Sequence, residues 1–150
     1  MNSAPLSVTR SFSWPVRIYW EDTDAGGIVY YANYLKFMER ARTEWLRALG
    51  LEQAVLYQEH GLMFVVVSAD SQFQRPARYG DLLQVSCAVE ESSRASLTFR
   101  QEIFRGQVGG ELLVTGRVRV ACLDAVKFRP RALPDALVEP LASMTSTGDR

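Results

Sequence analysis

The chain has 150 residues, enough for one domain, and its 17 basic and 17 acidic residues leave a formal net charge of zero. A nucleic-acid binder needs a basic footprint for the phosphates, so this balance argues against that class of protein. No run approaches the roughly 18 consecutive apolar residues of a membrane span, and the N-terminus lacks the apolar core of a secretory signal. A cytoplasmic protein without an integral membrane segment is expected.

Metal and disulfide chemistry find little support in the sequence. Cys87 and Cys122 lie in apolar, strand-like runs without metal-site spacing, so we expect buried, reduced thiols. The one histidine, His60, precedes Gly61 at the predicted end of a short helix, where its charge complements the helix dipole. A single histidine does not supply the usual zinc ligand set, and neither a metal nor a cofactor is expected.

The first half of the chain predicts a strand and a long helix. Residues 1–10 are polar and unpatterned, which indicates a disordered tail. "SFSWPVRIYW" then alternates as a strand does and leads into an acidic, glycine-containing loop. From Tyr31 to Leu49, apolar residues recur at spacings of three and four, which predicts an amphipathic helix that stops at Gly50. "EQAVLYQEHG" allows one more short helix.

The second half predicts strands. The short, turn-rich connections between four apolar runs favour an antiparallel meander over Leu62–Phe73, Asp81–Glu91, Ala95–Arg105 and Glu111–Asp124. One strand, one long helix and four strands indicate an α+β fold. In this hotdog arrangement, a curved antiparallel five-stranded sheet wraps the helix. We expect the domain to span 11–134 and a C-terminal tail with a short helical turn to occupy 135–150.

The acidic loop is the candidate site. In "YWEDTDAGGIVYYANY", Asp24 is followed by Gly26 and Gly27, which permit positive φ and close approach of a ligand. The first amide N–H groups of the following helix lack internal partners and can hold a developing oxyanion. A neighbouring carboxylate could attack a carbonyl or activate a water. The alternative is a simple helix cap, because Asp is a favoured cap residue.

The stretch "YWEDTDAGGIVYYANYLKFMERARTEWL" resembles the front motif of hotdog thioesterases of the 4-hydroxybenzoyl-CoA thioesterase family, and most of all the Tol–Pal-associated acyl-CoA thioesterases. The likeness continues in "FQRPARYGDLLQV" and "GRVRVACLDAVKFRPRALP". It implies an acyl-CoA thioesterase with Asp24 as catalytic carboxylate and the backbone N–H of Tyr31 polarising the thioester carbonyl. Tol–Pal-associated members usually carry His at the position of Tyr31, so the change bears on substrate preference and rate.

Further residues gain candidate roles from this resemblance. Gly27 and Asn33 are candidate substrate contacts, although the amide of Asn33 is equally suited to brace the loop. Asp22 is a second candidate acid or a turn residue that bonds nearby amides. Arg94 and Ser96 match a substrate-contacting arginine and serine of the 4-hydroxybenzoyl-CoA enzymes. A guanidinium suits the phosphates of coenzyme A, and the alternative is an ordinary turn arginine.

Other basic residues have two interpretations. The run "KFRPR", with its charges at positions 127, 129 and 131, is either a patch for phosphates or an acyl carrier protein, or a solvated face. Arg75 and Arg78 could also bind phosphate, but an ion pair with Asp81 is favoured. The exposed edges of the sheet predict a homo-oligomer, a dimer or tetramer, in which stacking buries apolar outer residues. The resemblance implies that the site lies at the dimer interface, with Asp24 of one subunit opposite Arg94 and Ser96 of the other.

The leading hypothesis is therefore acyl-CoA hydrolysis, with Asp24 as nucleophile or general base. A related acyl-carrier dehydratase or hydratase would use a histidine for proton transfer, and His60 lies outside the loop. A non-catalytic or weakly catalytic partner of acyl carrier protein or of the Tol–Pal envelope machinery is the third hypothesis. The intact acidic loop argues against a degenerate enzyme.

Overall fold

The structure is a computed structural model that describes residues 12–138 and 141. Between residues 13 and 124, two helices and six strands follow one another in the order β1, α1, α2, β2, β3, β4, β5 and β6, and a short 3-10 turn (Trp20–Asp22) lies between β1 and α1. Their bounds are Ser13–Arg17 (β1), Asn33–Ala48 (α1), Gln53–His60 (α2), Leu62–Phe73 (β2), Leu82–Ser86 (β3), Ala88–Ser93 (β4), Ser96–Arg105 (β5) and Glu111–Asp124 (β6). The predicted α+β architecture is confirmed.

The strand order corrects the predicted meander. The sheet runs β1-β3-β5-β6-β2, with β4 paired to β5, and every pairing is antiparallel. Hairpin turns make β4, β5 and β6 neighbours, as predicted. The prediction was wrong for β2, which pairs with β6 rather than with β3. Residues 74–81 separate β2 from β3. This connection exceeds a hairpin turn and lets the chain cross to the other side of the sheet.

The predicted strand Asp81–Glu91 is divided at Cys87, so the sheet has six strands where the pattern predicted five. The backbone N–H of Cys87 donates to the carbonyl of Phe12 at 3.0 Å, at the last pairing level of β1. Beyond this residue the chain pairs with β5 as β4. Apolar residues continue on both sides of Cys87, so the sequence pattern did not indicate that the strand is divided there.

Helix α1 packs its apolar side on the sheet and supplies much of the core. Its buried residues are Tyr34, Phe37, Met38, Ala41, Trp45 and Leu46. Full burial of a large apolar side chain contributes roughly 1.5–3 kcal/mol. Gly116 in β6 allows the close approach of the helix, because a Cβ there would lie 2.6 Å from the Cε of Met38. The helix begins at Asn33, two residues after the start that periodicity predicted.

The outward positions of the central strands are charged rather than apolar, contrary to expectation. Arg100 of β5 lies directly opposite Arg117 of β6, and both side chains are exposed, as is Arg119. Arg117 forms ion pairs with Glu90 at 3.1 Å and with Glu91 at 3.6 Å. Apolar stacking through this part of the sheet therefore does not follow from the structure.

The C-terminal residues that the structure describes contribute to the core. Residues 135–138 are helical, within the predicted C-terminal tail, and Leu137 and Leu141 are buried in the core. The predicted disordered tail over residues 1–10 lies outside the described residues. Within the described part of the chain, no helix is long and apolar enough to cross a membrane.

Candidate active site

The acidic loop is a tight hairpin between the 3-10 turn and α1. Thr23 and Val29 form an antiparallel bridge, and the N–H of Asp24 donates to the carbonyl of Ile28 at 2.9 Å. Gly27, at φ +82°, donates its N–H to the carbonyl of Asp24 at 3.0 Å. This left-handed conformation favours glycine and lets the chain reverse within four residues. Asp24 thus lies at the tip of the hairpin.

The carboxylate of Asp24 is exposed, and one of its oxygens is oriented. Oδ1 accepts the N–H of Gly26 at 2.8 Å. A Cβ at position 26 would lie 3.3 Å from that same oxygen, so glycine leaves the carboxylate room. Oδ2 has no hydrogen-bond partner among the described residues. Asp24 therefore presents a free oxygen from a side chain whose orientation the loop backbone restrains.

Asp22, two residues earlier, has a different role. Its Oδ2 accepts the N–H of Tyr19 at 2.8 Å, which closes the 3-10 turn. Its backbone carbonyl accepts both the N–H of Tyr30 and the side-chain amide of Asn33, each at 2.9 Å. Asp22 therefore acts as a turn residue that bonds nearby amides, the second of the two roles considered for it. Asn33 braces the loop, and its contact with substrate stays a prediction.

The N-terminal end of α1 is uncapped. The N-cap residue is Ala32, and the first turn contains no acidic residue. None of the side chains that the structure describes caps the helix. The backbone N–H groups of Tyr31 and Ala32 find no acceptor in the described part of the chain. Unpaired N–H groups at a helix start carry partial positive charge and attract an anion. The amide that the resemblance assigns to Tyr31 is therefore available.

A cavity of about 230 Å³ lies beside this helix start. Tyr31 contacts Phe73 of β2 edge-on, with ring centroids 5.9 Å apart, and Tyr34 packs on the same phenyl ring at 5.8 Å. Most of the other lining is apolar, from Ile28, Val29 and Pro76, with Gln74 and Arg75 at the polar side. An apolar cavity next to free amide donors suits an acyl group whose carbonyl must be polarised.

The "RPARYGD" segment is hydrogen-bonded to both the acidic loop and helix α1. The N–H of Val29 donates to the carbonyl of Ala77 at 2.9 Å, and the N–H of Ala77 donates to the hydroxyl of Tyr34 at 3.0 Å. Burial raises the pKa of Tyr34, so its phenol stays neutral. Sequence reasoning missed both Tyr34 and Ala77 as supports, because an apolar position in a helical pattern indicates core packing and not a backbone partner.

The predicted ion pair of Asp81 with Arg75 or Arg78 is not the one that forms. Asp81 pairs with Arg105 of β5, which also donates Nη2 to the carbonyl of Pro76 at 3.0 Å. Arg78 contacts Asp81 through its backbone: its N–H donates to the carboxylate at 2.8 Å, and its carbonyl accepts the N–H of Asp81 at 3.1 Å. The guanidinium of Arg75 lies 3.5 Å from the carboxylate of Glu111. The prediction failed because Arg105 is distant in sequence and becomes a neighbour only when β3 pairs with β5.

Arg94 and Ser96 lie far from the acidic loop. They flank the β4–β5 turn, where Arg94 is exposed and the hydroxyl of Ser96 is 2.7 Å from that of Ser93. The acidic loop bridges Arg78, just before β3, and β3 starts opposite Arg105 at the other end of β5. Ten residues at about 3.3 Å each separate these ends by roughly 30 Å. One subunit does not bring Asp24 and Arg94 together.

The basic run "KFRPR" lies at the Arg94 end. Asp124 orders it, because its Oδ1 accepts the N–H groups of Val126 and Lys127, each at 2.9 Å. These backbone bonds, together with Arg131 at 3.3 Å, lower the pKa of Asp124. The N–H of Leu133 donates to the carbonyl of Arg94 at 2.9 Å and joins the run to the turn. Lys127 and Arg129 are exposed.

The cysteines are buried and free, as expected. Burial raises the pKa of Cys122 to about 11 and raises that of Cys87 further above its ordinary value. Both thiols are therefore protonated and unreactive at neutral pH. Among residues 12–138 and 141, no group of three or more His, Cys, Asp or Glu side chains is arranged to hold a metal ion.

Comparison with known proteins agrees with this geometry. Residues 18–141 match the Thioesterase-like superfamily. The chain is 46% identical over 125 residues to the acyl-CoA thioesterase YbgC of Haemophilus influenzae, an alignment that covers 83% of this chain and 90% of that protein. It is 43% identical over 130 residues to the acyl-CoA thioester hydrolase YbgC of Escherichia coli, with 87% and 95% covered.

A solved structure gives the same result. A 4-hydroxybenzoyl-CoA thioesterase mutant, determined in complex with 4-hydroxybenzoyl-CoA, matches with a TM-score of 0.78 at 26% identity over 87% of this chain and 98% of that one. The predicted hotdog fold and the predicted thioesterase relationship are thereby confirmed.

Proposed function

Because the chain belongs to the thioesterase-like superfamily, we propose that it hydrolyses the thioester of acyl-coenzyme A to a free acid and coenzyme A. The names of the relatives in Haemophilus influenzae and Escherichia coli support this substrate class, as does the coverage of nearly their whole length. No cofactor enters the reaction as proposed, because a carboxylate, backbone donors and water suffice for acyl transfer to water.

One observation carries the proposal: a free carboxylate oxygen stands on a hairpin that is hydrogen-bonded to the uncapped start of α1. The thioester carbonyl accepts the N–H of Tyr31, and the helix start stabilises the oxyanion that develops. Asp24 either attacks the carbonyl carbon or deprotonates a water that does. If Asp24 attacks, the thiolate of coenzyme A leaves as a mixed anhydride forms on the carboxylate, and a water then hydrolyses the anhydride, which releases the acid and restores Asp24. If water attacks, the thiolate leaves and the acid is released directly. In both routes the thiolate takes up the proton that the attacking water gives up.

A homodimer completes the site. Strand β2 is an edge strand with exposed Val66 and Val67, and pairing with a second copy of itself satisfies its free backbone groups. On the sheet, Ser96 is level with Val65 near the beginning of β2, whereas Tyr31 contacts Phe73 at its end. Antiparallel pairing about a two-fold axis sets the beginning of one β2 beside the end of the other. Arg94 of one subunit then approaches Asp24 of its partner.

The Arg94 end carries the charges that coenzyme A requires. Arg94, Lys127 and Arg129 are exposed there, and a guanidinium donates bidentately to phosphate. The same cations suit the acidic surface of an acyl carrier protein, which presents its acyl group as a thioester of the same kind. Buried, reduced cysteines fit a cytoplasmic location, since disulfides persist in oxidising compartments.

A thiol-release assay on acyl-CoA substrates of graded chain length, including an aromatic acyl group, tests the function. We expect release from at least one substrate and none when Asp24 is replaced by Asn. A panel without any release would favour the non-catalytic binding function instead. Single turnover in heavy-oxygen water then separates the two routes, because label enters the Asp24 carboxylate only if an anhydride forms.

A further inference from the structure

A chain of hydrogen bonds through two buried residues joins the first turn of α1 to the acidic loop. Tyr34 is 3% exposed and Ala77 is fully buried. The hydroxyl of Tyr34 accepts the N–H of Ala77, and the carbonyl of Ala77 accepts the N–H of Val29. We propose that Tyr34 is a positioning residue for hydrolysis, which holds the loop bearing Asp24 at the helix start through Ala77. This inference rests on the proposed function, with Asp24 as the catalytic carboxylate.

The hydroxyl of Tyr34 is placed by the helix and not by the loop. Its ring packs edge-on against Phe37, with centroids 6.0 Å apart, and at a tilt of 35° against Phe73, with centroids 5.8 Å apart. The ring therefore lies between α1 and the end of β2. The acceptor that Ala77 meets is therefore a fixed point on α1. Val29, which bonds to Ala77, is the bridge partner of Thr23, the residue before Asp24. The position of the helix is thereby transmitted to the carboxylate.

The two sides of the loop are held by consecutive residues of α1. Asn33 donates its side-chain amide to the carbonyl of Asp22, on the Thr23 side. Tyr34 acts through Ala77 on the Val29 side. Because the proposed oxyanion donor, the N–H of Tyr31, belongs to the same turn, one rigid element sets both the donor and the acid. Loss of either attachment changes the distance between these two groups.

Tyr34→Phe tests the proposal with little other change. The ring remains as a wall of the acyl cavity, and only the oxygen that Ala77 bonds is removed. We expect kcat to fall about 10-fold to 100-fold, the effect of small misplacement of reacting groups. KM should stay within about threefold of wild type because binding contacts are retained. Tyr57→Phe removes the same atom from an exposed tyrosine of α2 and should leave both constants unchanged.

A stability control separates positioning from general weakening of the fold. Val118→Ala removes two methyl groups from a buried residue of β6 and is expected to lower the melting temperature without loss of kcat. A similar loss of kcat in Val118→Ala and Tyr34→Phe would overturn the proposal, as would a Tyr34→Phe enzyme with wild-type kcat. An active Asp24→Asn enzyme would overturn the role of Asp24 and this inference with it. The proposed function itself fails only if the wild-type protein releases no thiol from any acyl-CoA, so the two failures are distinguishable.

Amide hydrogen exchange adds a readout that does not require the variant to fold. In the wild-type protein, the amide of Ala77 should exchange as slowly as the amides of the central strands, because its acceptor is buried. In folded Tyr34→Phe, the amides of Ala77 and Val29 should exchange faster, while those of α2 should not change. Rapid exchange of the Ala77 amide in wild type contradicts the proposed attachment.

Discussion

The two ends of β5 differ in what they offer a thioester. The Arg105 end adjoins the acidic loop, with a free carboxylate oxygen, an uncapped helix start and an apolar cavity. The Ser96 end has exposed cations around the β4–β5 turn. In the proposed function, the first end carries the groups for bond cleavage and the second end carries the cations that bind phosphate. Within one subunit, roughly 30 Å of strand separates these two ends. The proposed site therefore requires two subunits, and variants at each end test this requirement.

The largest effect is expected at the Arg105 end. Asp24→Asn should lower kcat by about 100-fold or more, because the amide is neither nucleophile nor base. Steady-state kinetics on the best acyl-CoA substrate measure this loss, and circular dichroism checks the fold. Asp22→Asn is the matched control. An asparagine oxygen still accepts the N–H of Tyr19, so we expect nearly wild-type turnover there. Comparable turnover in Asp24→Asn would move the chemistry elsewhere.

The second-largest loss of activity is expected from a substitution that separates the two subunits of the proposed dimer. Val67 is exposed on the free edge of β2, at an irregularity of the β2–β6 pairing. In the proposed dimer, Val67→Asp places a negative charge close to the same charge on the partner's β2, which opposes pairing of the two edges. We expect a shift to monomer in light scattering and a loss of activity of at least about 10-fold, since the two ends would no longer meet. Val126→Asp, on the exposed loop after β6, is the control. An active monomer of 16.9 kDa contradicts the shared site.

The Ser96 end is expected to contribute to binding. Arg94→Ala should lower kcat/KM for acyl-CoA about 10-fold, mainly through KM, which corresponds to roughly 1.4 kcal/mol for a charge-assisted phosphate contact. The loss should shrink with an acyl-pantetheine substrate, which lacks the nucleotide phosphates. An equal loss on both substrates would assign Arg94 a role other than phosphate binding.

Mixing the two impaired variants sharpens the same comparison. Random exchange of Asp24→Asn and Arg94→Ala subunits makes half of the dimers hybrid, and one of the two sites in each hybrid combines both wild-type residues. Assayed at low substrate concentration, the mixture should recover about one quarter of wild-type activity. Activity that stays at the mean of the two parents would indicate that both residues serve the same subunit's site, or that Arg94 serves none.

The smallest effect is expected at Tyr31. Because the proposed contact uses the backbone N–H, Tyr31→His should keep kcat within about threefold of wild type. The phenol is exposed, and its ring contacts Tyr30 and Phe73. Kinetics over a series of acyl chain lengths would register a change of preference without loss of rate. A folded but inactive Tyr31→His enzyme would show that the phenol itself takes part.

Local features of this protein could be read from its sequence. Apolar spacing from Tyr31 to Leu49 predicted α1 to within two residues of each end, and an apolar, strand-like run predicted β2 with its bounds. The order of Asp24, Gly26 and Gly27 predicted a turn before a helix, because glycine conformation and helix ends are properties of a few consecutive residues. Similarity to known motifs added the candidate chemistry.

Only the tertiary structure decided which distant residues meet. The pairing of β2 with β6, the ion pair of Asp81 with Arg105, and the bond between Tyr34 and Ala77 join residues that lie between 24 and 62 positions apart in the sequence. None of these contacts follows from local periodicity. The separation of Asp24 from Arg94 by the length of β5 belongs to the same class. Periodicity records which face of an element is buried, whereas strand order depends on the packing free energy of the whole chain.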